Sequence, residues 1–233
     1  MIDEREGVTV AFLGNSILYY NDCPRFLENL SKGAISQDSC LRGGTNLHEL
    51  WKLGNGMRKH GWATENAKID NADGDAAYYD VGAPNVKTLL DATKKWDYVV
   101  FNDHTQGPAR PEKKQVTQDV LVEKYLPLLL DCLATPIIIE TAAYRYEGIV
   151  NSQDLGSTHE FQKRVREGIE DYIQVLGEKM ESKSIKPKIA PVGTAYLYVH
   201  DTIILCGRNY LIHMTTSIHL HRVHSYRAAC CIA

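Results

Sequence analysis

Short apolar runs alternate with longer stretches of helical period along this chain. VTVAFLG (Val8–Gly14) is a β-rich run ending in glycine, as a strand buried on both faces would. YYNDCPRFLENLSKGA follows, where Phe26, Leu27 and Leu30 recur at helical spacing and Gly33 acts as a stop. QDSCLRGGTN reads as a second strand entering a glycine turn, and LHELWKLGNGMRKHG as a short helix with a loop. Residues 62–84, rich in Asn, Asp, Ala and Gly, read mostly as loop. NVKTLLDATKKW is predicted helical with Asn85 as N-cap, and DYVVFND (Asp97–Asp103) is a third strand. ARPEKKQ reads as a solvated turn, and KKQVTQDVLVEKYLPLLLDCLA as a long helix kinked at Pro127. TPIIIET is a fourth strand, and STHEFQKRVREGIEDYIQVLGEKM an amphipathic helix capped by Ser157 or Thr158. KPKIAPVGTAY supplies a fifth strand with its exit turn. Such alternation predicts an α/β domain with a parallel sheet covered on both faces.

Composition narrows the function classes. The 233 residues suffice for one large domain, and the hydrophobic content of 44% and charged content of 24% are those of an ordinary globular protein. A net charge of −3 implies no general affinity for nucleic acid or an anionic membrane. MIDEREGVTV has no apolar stretch of signal-peptide type, and no run approaches the ~20 residues of a membrane helix, so a cytoplasmic location is expected. None of Cys23, Cys40, Cys132, Cys206, Cys230 and Cys231 forms a CxxC pair, which favours free thiols over zinc or redox chemistry.

In parallel α/β sheets functional groups gather at the carboxyl ends of the strands. Those ends carry Gly14-Asn15-Ser16, Arg42-Gly43-Gly44-Thr45 and NDHTQGPAR beginning at Asn102. Each piece alone is ordinary turn chemistry, since Gly and Asn make turns and Ser caps helices. Together they form a possible catalytic set. Ser16 on a strand-to-helix turn is a candidate nucleophile, and the amides of Ser16, Gly43 and the Asn102 side chain are candidate donors to one oxyanion. Glycine suits that place because a side chain would block the backbone's approach. Trp51, Trp62 and Trp96 read as core or pocket-wall residues. His48, His60, His104 and His159 read as surface or packing residues, although His104 lies close enough to Asn102 to touch a substrate.

On these residues the chain resembles the SGNH hydrolases, also called GDSL-like esterases. FLGNSILYYND is similar to their first block, with the nucleophile at Ser16 and Asn15 in place of the usual Asp, as in a branch that reads GNS. LRGGTN is similar to the second block, with Gly43 as the oxyanion glycine and Gly44 the alternative. VVFNDHTQGPA is similar to the third, with Asn102 as the oxyanion amide. The resemblance runs from about Val8 to Asp201. It implies a flavodoxin-like three-layer α/β/α sandwich with a five-stranded parallel sheet, no metal and no cofactor. The implied activity is serine esterase hydrolysis of a small-molecule or carbohydrate ester, such as a carbohydrate acetyl group, through an acyl-enzyme. A non-catalytic flavodoxin-like domain that binds carbohydrate or a small anion is the alternative.

The family's fourth block, Asp-x-x-His-Pro-Ser, supplies the general base and the acid that orients it. This chain has no Asp after Asp201 and no His-Pro pair. Instead His213, His219, His221 and His224 crowd the tail. Back-translated and read one base out of frame, the codons of His213 to Val223 permit His-Asp-Asp-Phe-His-Pro-Ser-Pro-Ser-Gly, which contains the missing block. The Met214-Thr215 pair forces the first Asp of that reading. The expectation is therefore a hydrolase-like domain over residues 1–201 and a frame-shifted tail over 202–233 that has lost the base and a closing helix. Three other readings of the histidines stand beside it. His219 or His221 could serve as a substitute base, His219 being the one preferred. His200 could approach the strand ends. A metal could bind His219, His221 and His224.

Overall fold

Five strands form one parallel sheet in the order β2-β1-β3-β4-β5. The computed structural model describes residues 7–19, 23–56, 82–144 and 150–205. The strands are β1 (Val8–Gly14), β2 (Ile35–Leu41), β3 (Tyr98–Phe101), β4 (Thr135–Ile139) and β5 (Lys188–Ala190). The helices are α1 (Ser16–Tyr19), α2 (Cys23–Leu30), α3 (Leu47–Leu53), α4 (Val86–Leu89), α5 (Pro111–Val120), α6 (Leu126–Cys132), α7 (Thr158–Met180) and α8 (Val192–Leu205). The α/β class, the parallel sheet and the three-layer arrangement follow the expectation.

The apolar strands feed two cores, as a sheet buried on both faces requires. One face presents Ala11, Leu13, Cys40, Val99, Phe101 and Ile138 to a core shared with Leu47 and Leu50 of α3, Tyr125, and Phe161, Val165 and Tyr172 of α7. The other presents Val10, Phe12, Leu41, Val100, Ile137 and Ile139 to a core shared with Leu18, Cys23 and Leu27 of α1 and α2. Tyr125 stacks edge-on against Phe101 at 5.4 Å and Trp51 at 5.5 Å, and its hydroxyl donates to the Leu47 carbonyl at 2.8 Å. A buried phenol needs such a partner, and this one ties α3 to the helical segment that carries Tyr125.

Local chemistry sets several boundaries differently from the sequence pattern. Strand β2 begins at Ile35, ahead of the expected Gln37, because Val8 to Gly14 pair in register with Ile35 to Leu41. Leu30 is 46% exposed, so the apolar face of α2 rests on Leu27 and the half-buried Phe26. The stretch after Asn85 is helical only to Leu89. Asn85 caps it through Thr88 N–H at 2.9 Å, but Asp91 then accepts from the amide and hydroxyl of Thr93, and Trp96 Nε1 takes the Leu89 carbonyl. Helix α5 starts at Pro111, inside the expected solvated turn, since proline fits the first helical position. A π-helical turn, Leu121–Tyr125, joins α5 to α6 immediately before Pro127. It widens the helix where proline withholds a backbone donor. The fifth strand ends at Ala190. Pro191 cannot continue the ladder, and its carbonyl accepts from Ala195 N–H at 3.1 Å in the first turn of α8. Helix α8 then crosses Asp201 without interruption to Leu205. No helix among the described residues is long and apolar enough to cross a membrane.

Candidate functional site

The strand order creates a crevice at the carboxyl ends. The chain moves from β1 to β2 on one side and returns to β3 on the other, so the ends of β1 and β3 flank a topological switch point. Register then decides which residues meet there. Gly14 pairs with Leu41, and Leu13 pairs with Phe101. The ladder continues one step past the strands, with Arg42 N–H donating to Gly14 O at 3.0 Å and Asn102 N–H to Leu13 O at 2.8 Å. Ser16, Gly43 and Asn102 therefore lie just beyond three adjacent strand ends.

Glycines allow the close approach. A Cβ on Gly14 would meet Asn102 Cβ at 2.7 Å, and one on Gly43 would meet the Tyr19 hydroxyl at 2.4 Å. Gly44 has open space around it but φ +69, so its role is conformational. The two glycines of the second block are thus needed for different reasons. Gly43 allows contact with the first block, and Gly44 makes the turn. Thr45 closes that turn by donating its hydroxyl to Arg42 O at 2.9 Å.

Asn15 and Asn102 lie beneath this surface, 3% and 0% exposed. Asn15 Oδ1 accepts from Ile17 N–H at 3.1 Å and shapes the turn that presents the half-buried Ser16. Its Nδ2 donates to Thr45 O at 3.1 Å and Asp103 O at 3.2 Å. Asn102 Nδ2 also donates to Asp103 O at 3.2 Å; among the described residues its second amide hydrogen is uncommitted and its buried Oδ1 has no partner.

Asp103 joins the loops from below. Its carboxylate accepts from Leu47 N–H at 3.2 Å, Thr117 Oγ at 3.0 Å and the Tyr172 hydroxyl at 3.1 Å, linking α3, α5 and α7. Burial pushes its pKa up despite these donors. Burial also lowers His104, with the Asp103 charge opposing the shift. A second carboxylate, Glu140, follows β4 and is fully buried. It accepts from Gln162 Nε2 at 2.6 Å, Arg166 Nη1 at 2.9 Å and Thr194 Oγ at 2.9 Å, and so holds α7 and α8 at the strand end. Neither carboxylate stood out in the sequence. The available signal was an acid immediately after a buried apolar run, in VVFND and PIIIE.

His200 is engaged elsewhere. Its Nδ1 lies 3.2 Å from Asp201 Oδ1, and His159 Nε2 lies 3.2 Å from Asp201 Oδ2. Hydrogen bonds from His200 and then His159 hold Asp201 below the usual carboxylate range. Among the described residues His200 makes no hydrogen bond to Ser16. His213, His219, His221 and His224 lie outside the described residues. Among the described residues, no group of three or more His, Cys, Asp or Glu could hold a metal.

The fold has clear relatives among solved structures. A candidate SGNH hydrolase from Slackia heliotrinireducens aligns over 97% of this chain and 100% of its own, with TM-score 0.56 and 19% identity. A DUF4886 family protein from Bacteroides uniformis aligns over 97% and 95%, with TM-score 0.54 and 16% identity. The acetyl xylan esterase AlAXEase aligns over 97% and 100%, with TM-score 0.53 and 12% identity. No protein-family model and no curated protein sequence matches the chain. At these identities the likeness establishes the fold alone, the α/β arrangement these structures share with the chain.

Proposed function

We propose that this domain is built for hydrolysis of carboxylic esters through Ser16. The supporting observation is the placement of Ser16, Gly43 and Asn102 beyond three adjacent strand ends at the switch point. In the proposed reaction Ser16 Oγ attacks the ester carbonyl. The amides of Ser16 and Gly43 and the free hydrogen of Asn102 Nδ2 hold the tetrahedral oxyanion. Collapse expels the alcohol and leaves an acyl-serine, which water then hydrolyses to the acid and free Ser16. No cofactor enters this scheme. The alignment with an acetyl xylan esterase supports an acetylated carbohydrate as substrate class.

Among the described residues the scheme has no base. No described histidine hydrogen-bonds Ser16, and the Asp-x-x-His-Pro-Ser block does not occur in the sequence. We attribute this to a one-base frame change near Asp201. Loss of a triad member costs about 10⁴–10⁶ in rate, and oxyanion stabilisation leaves a residue of activity. The test is p-nitrophenyl acetate hydrolysis by three proteins: this chain, its Ser16→Ala variant, and a version with one base adjusted near codon 201. The restored version should turn over, and Ser16→Ala in that background should abolish it. Full activity of the chain as it stands, dependent on Ser16, would assign the base to a tail histidine such as His219 and overturn the frame-change proposal. Failure of the restored version would overturn the esterase reading and leave a binding domain.

A further inference from the structure

Asn15 occupies the position where the resembling family most often has Asp, and its hydrogen bonds show what the amide supplies. The orientation of the amide is forced. Two carbonyls, Thr45 O and Asp103 O, face Nδ2, and one backbone N–H, from Ile17, faces Oδ1. Both amide hydrogens are used, and they reach 30 and 88 residues along the chain into the loops that follow β2 and β3. We infer that Asn15 is a positioning residue: its two N–H donors tie the Gly43 and Asn102 loops to the Ser16 turn and set the spacing of the three groups. The tie to catalysis rests on the esterase reading; the tie between the loops does not.

An ionised aspartate has the same shape but no hydrogen to donate. It would set a carboxylate against two carbonyl oxygens in a site that is 3% exposed. Serine is smaller. It can still accept from Ile17 N–H in a local turn, but it lacks an amide with two hydrogens to span both loops. The two variants therefore separate the residue's functions. If Asn15 only fills space, Asn15→Asp is the milder change. If its donors matter, Asn15→Asp is the harsher one.

The experiment is hydrogen–deuterium exchange on the full chain, with peptides covering 15–19, 42–47 and 102–106. In Asn15→Ser, exchange in 42–47 and 102–106 should rise by on the order of tenfold, the loss of about one hydrogen bond each, with 15–19 little changed. Asn15→Asp should raise it further and melt at a lower temperature than Asn15→Ser. Unchanged exchange in Asn15→Ser, or an Asn15→Asp milder than it, overturns the tie. In parallel, in the background with the frame restored near codon 201, Ser16 is labelled with a fluorophosphonate below the melting temperature of every variant. Asn15→Ser should lower the maximal labelling rate by about tenfold and leave the half-saturating concentration unchanged. Normal labelling beside faster exchange overturns the positioning role. A frame-restored parent that does not label at Ser16 at all counts against the esterase reading, and the exchange results then decide the tie alone.

Discussion

A buried carboxylate is among the costliest single groups a fold can hold, and Asp103 does so at 1% exposure. It is retained by donors from three helical elements and from the backbone of its own loop. Truncation should therefore strip partners from Leu47, Thr117 and Tyr172 at once. Asp103→Ala should cost about 1–3 kcal/mol through the buried donors it leaves unsatisfied, read from urea unfolding at neutral pH. Asp103→Asn keeps the shape and removes the charge, and it tests the ionisation separately. In the folded protein the Asp103 pKa lies above its ordinary value of 3.8. Between the two values the folded state holds more protons than the unfolded chain, so this group's contribution to stability falls as pH rises through that window. The urea midpoint of the parent relative to that of Asp103→Asn should fall as pH is taken upward from about 4, and a constant difference would overturn this.

Packing between elements rests on close backbone approaches that the sequence pattern hides. Helix α7 crosses the loop after β3 at Gly168, where an added Cβ would meet the Pro108 carbonyl oxygen at 2.1 Å. Helix propensity alone favours alanine there by about 1 kcal/mol. The obstacle is backbone, so the clash should dominate and Gly168→Ala should destabilise by about 1–3 kcal/mol, measured as a lower urea midpoint with unchanged slope. Two boundaries show the same limit on local reading. The π-helical turn before Pro127 carries Tyr125, whose ring contacts with Phe101 and Trp51 come from a strand and a helix far away in sequence. The short α4 ends where Asp91 and Trp96 capture groups that a longer helix would have used.

At the scale of the molecule, the two cores bury thiols on both sides of the sheet. Cys23, Cys40 and Cys132 are buried thiols outside any disulfide. Burial pushes the Cys40 thiol up to about 12 and raises Cys132 as well. A thiol held protonated and out of solvent reacts slowly. Iodoacetamide treatment of the native protein followed by mass spectrometry should leave these three unmodified. In urea all three should alkylate together, reporting one cooperative unfolding unit. Separate onset of Cys23, on the α2 side, would instead show that the two faces open independently.

The alternation of apolar runs and helical periods was enough to determine the α/β class, the five strands and the three strand ends that carry Ser16, Gly43 and Asn102. Each of those features depends on neighbours within a few residues, where periodicity and turn chemistry act. Tertiary structure alone decided which carbonyls Asn15 would meet, that Asp103 would bind α3, α5 and α7 together, and that Glu140 would hold α7 and α8. It also decided that Gly43 and Gly44 are glycine for different reasons. Those choices depend on sheet order and register, which bring together groups separated by up to 88 residues, and no local pattern encodes the polarity of a partner so far along the chain.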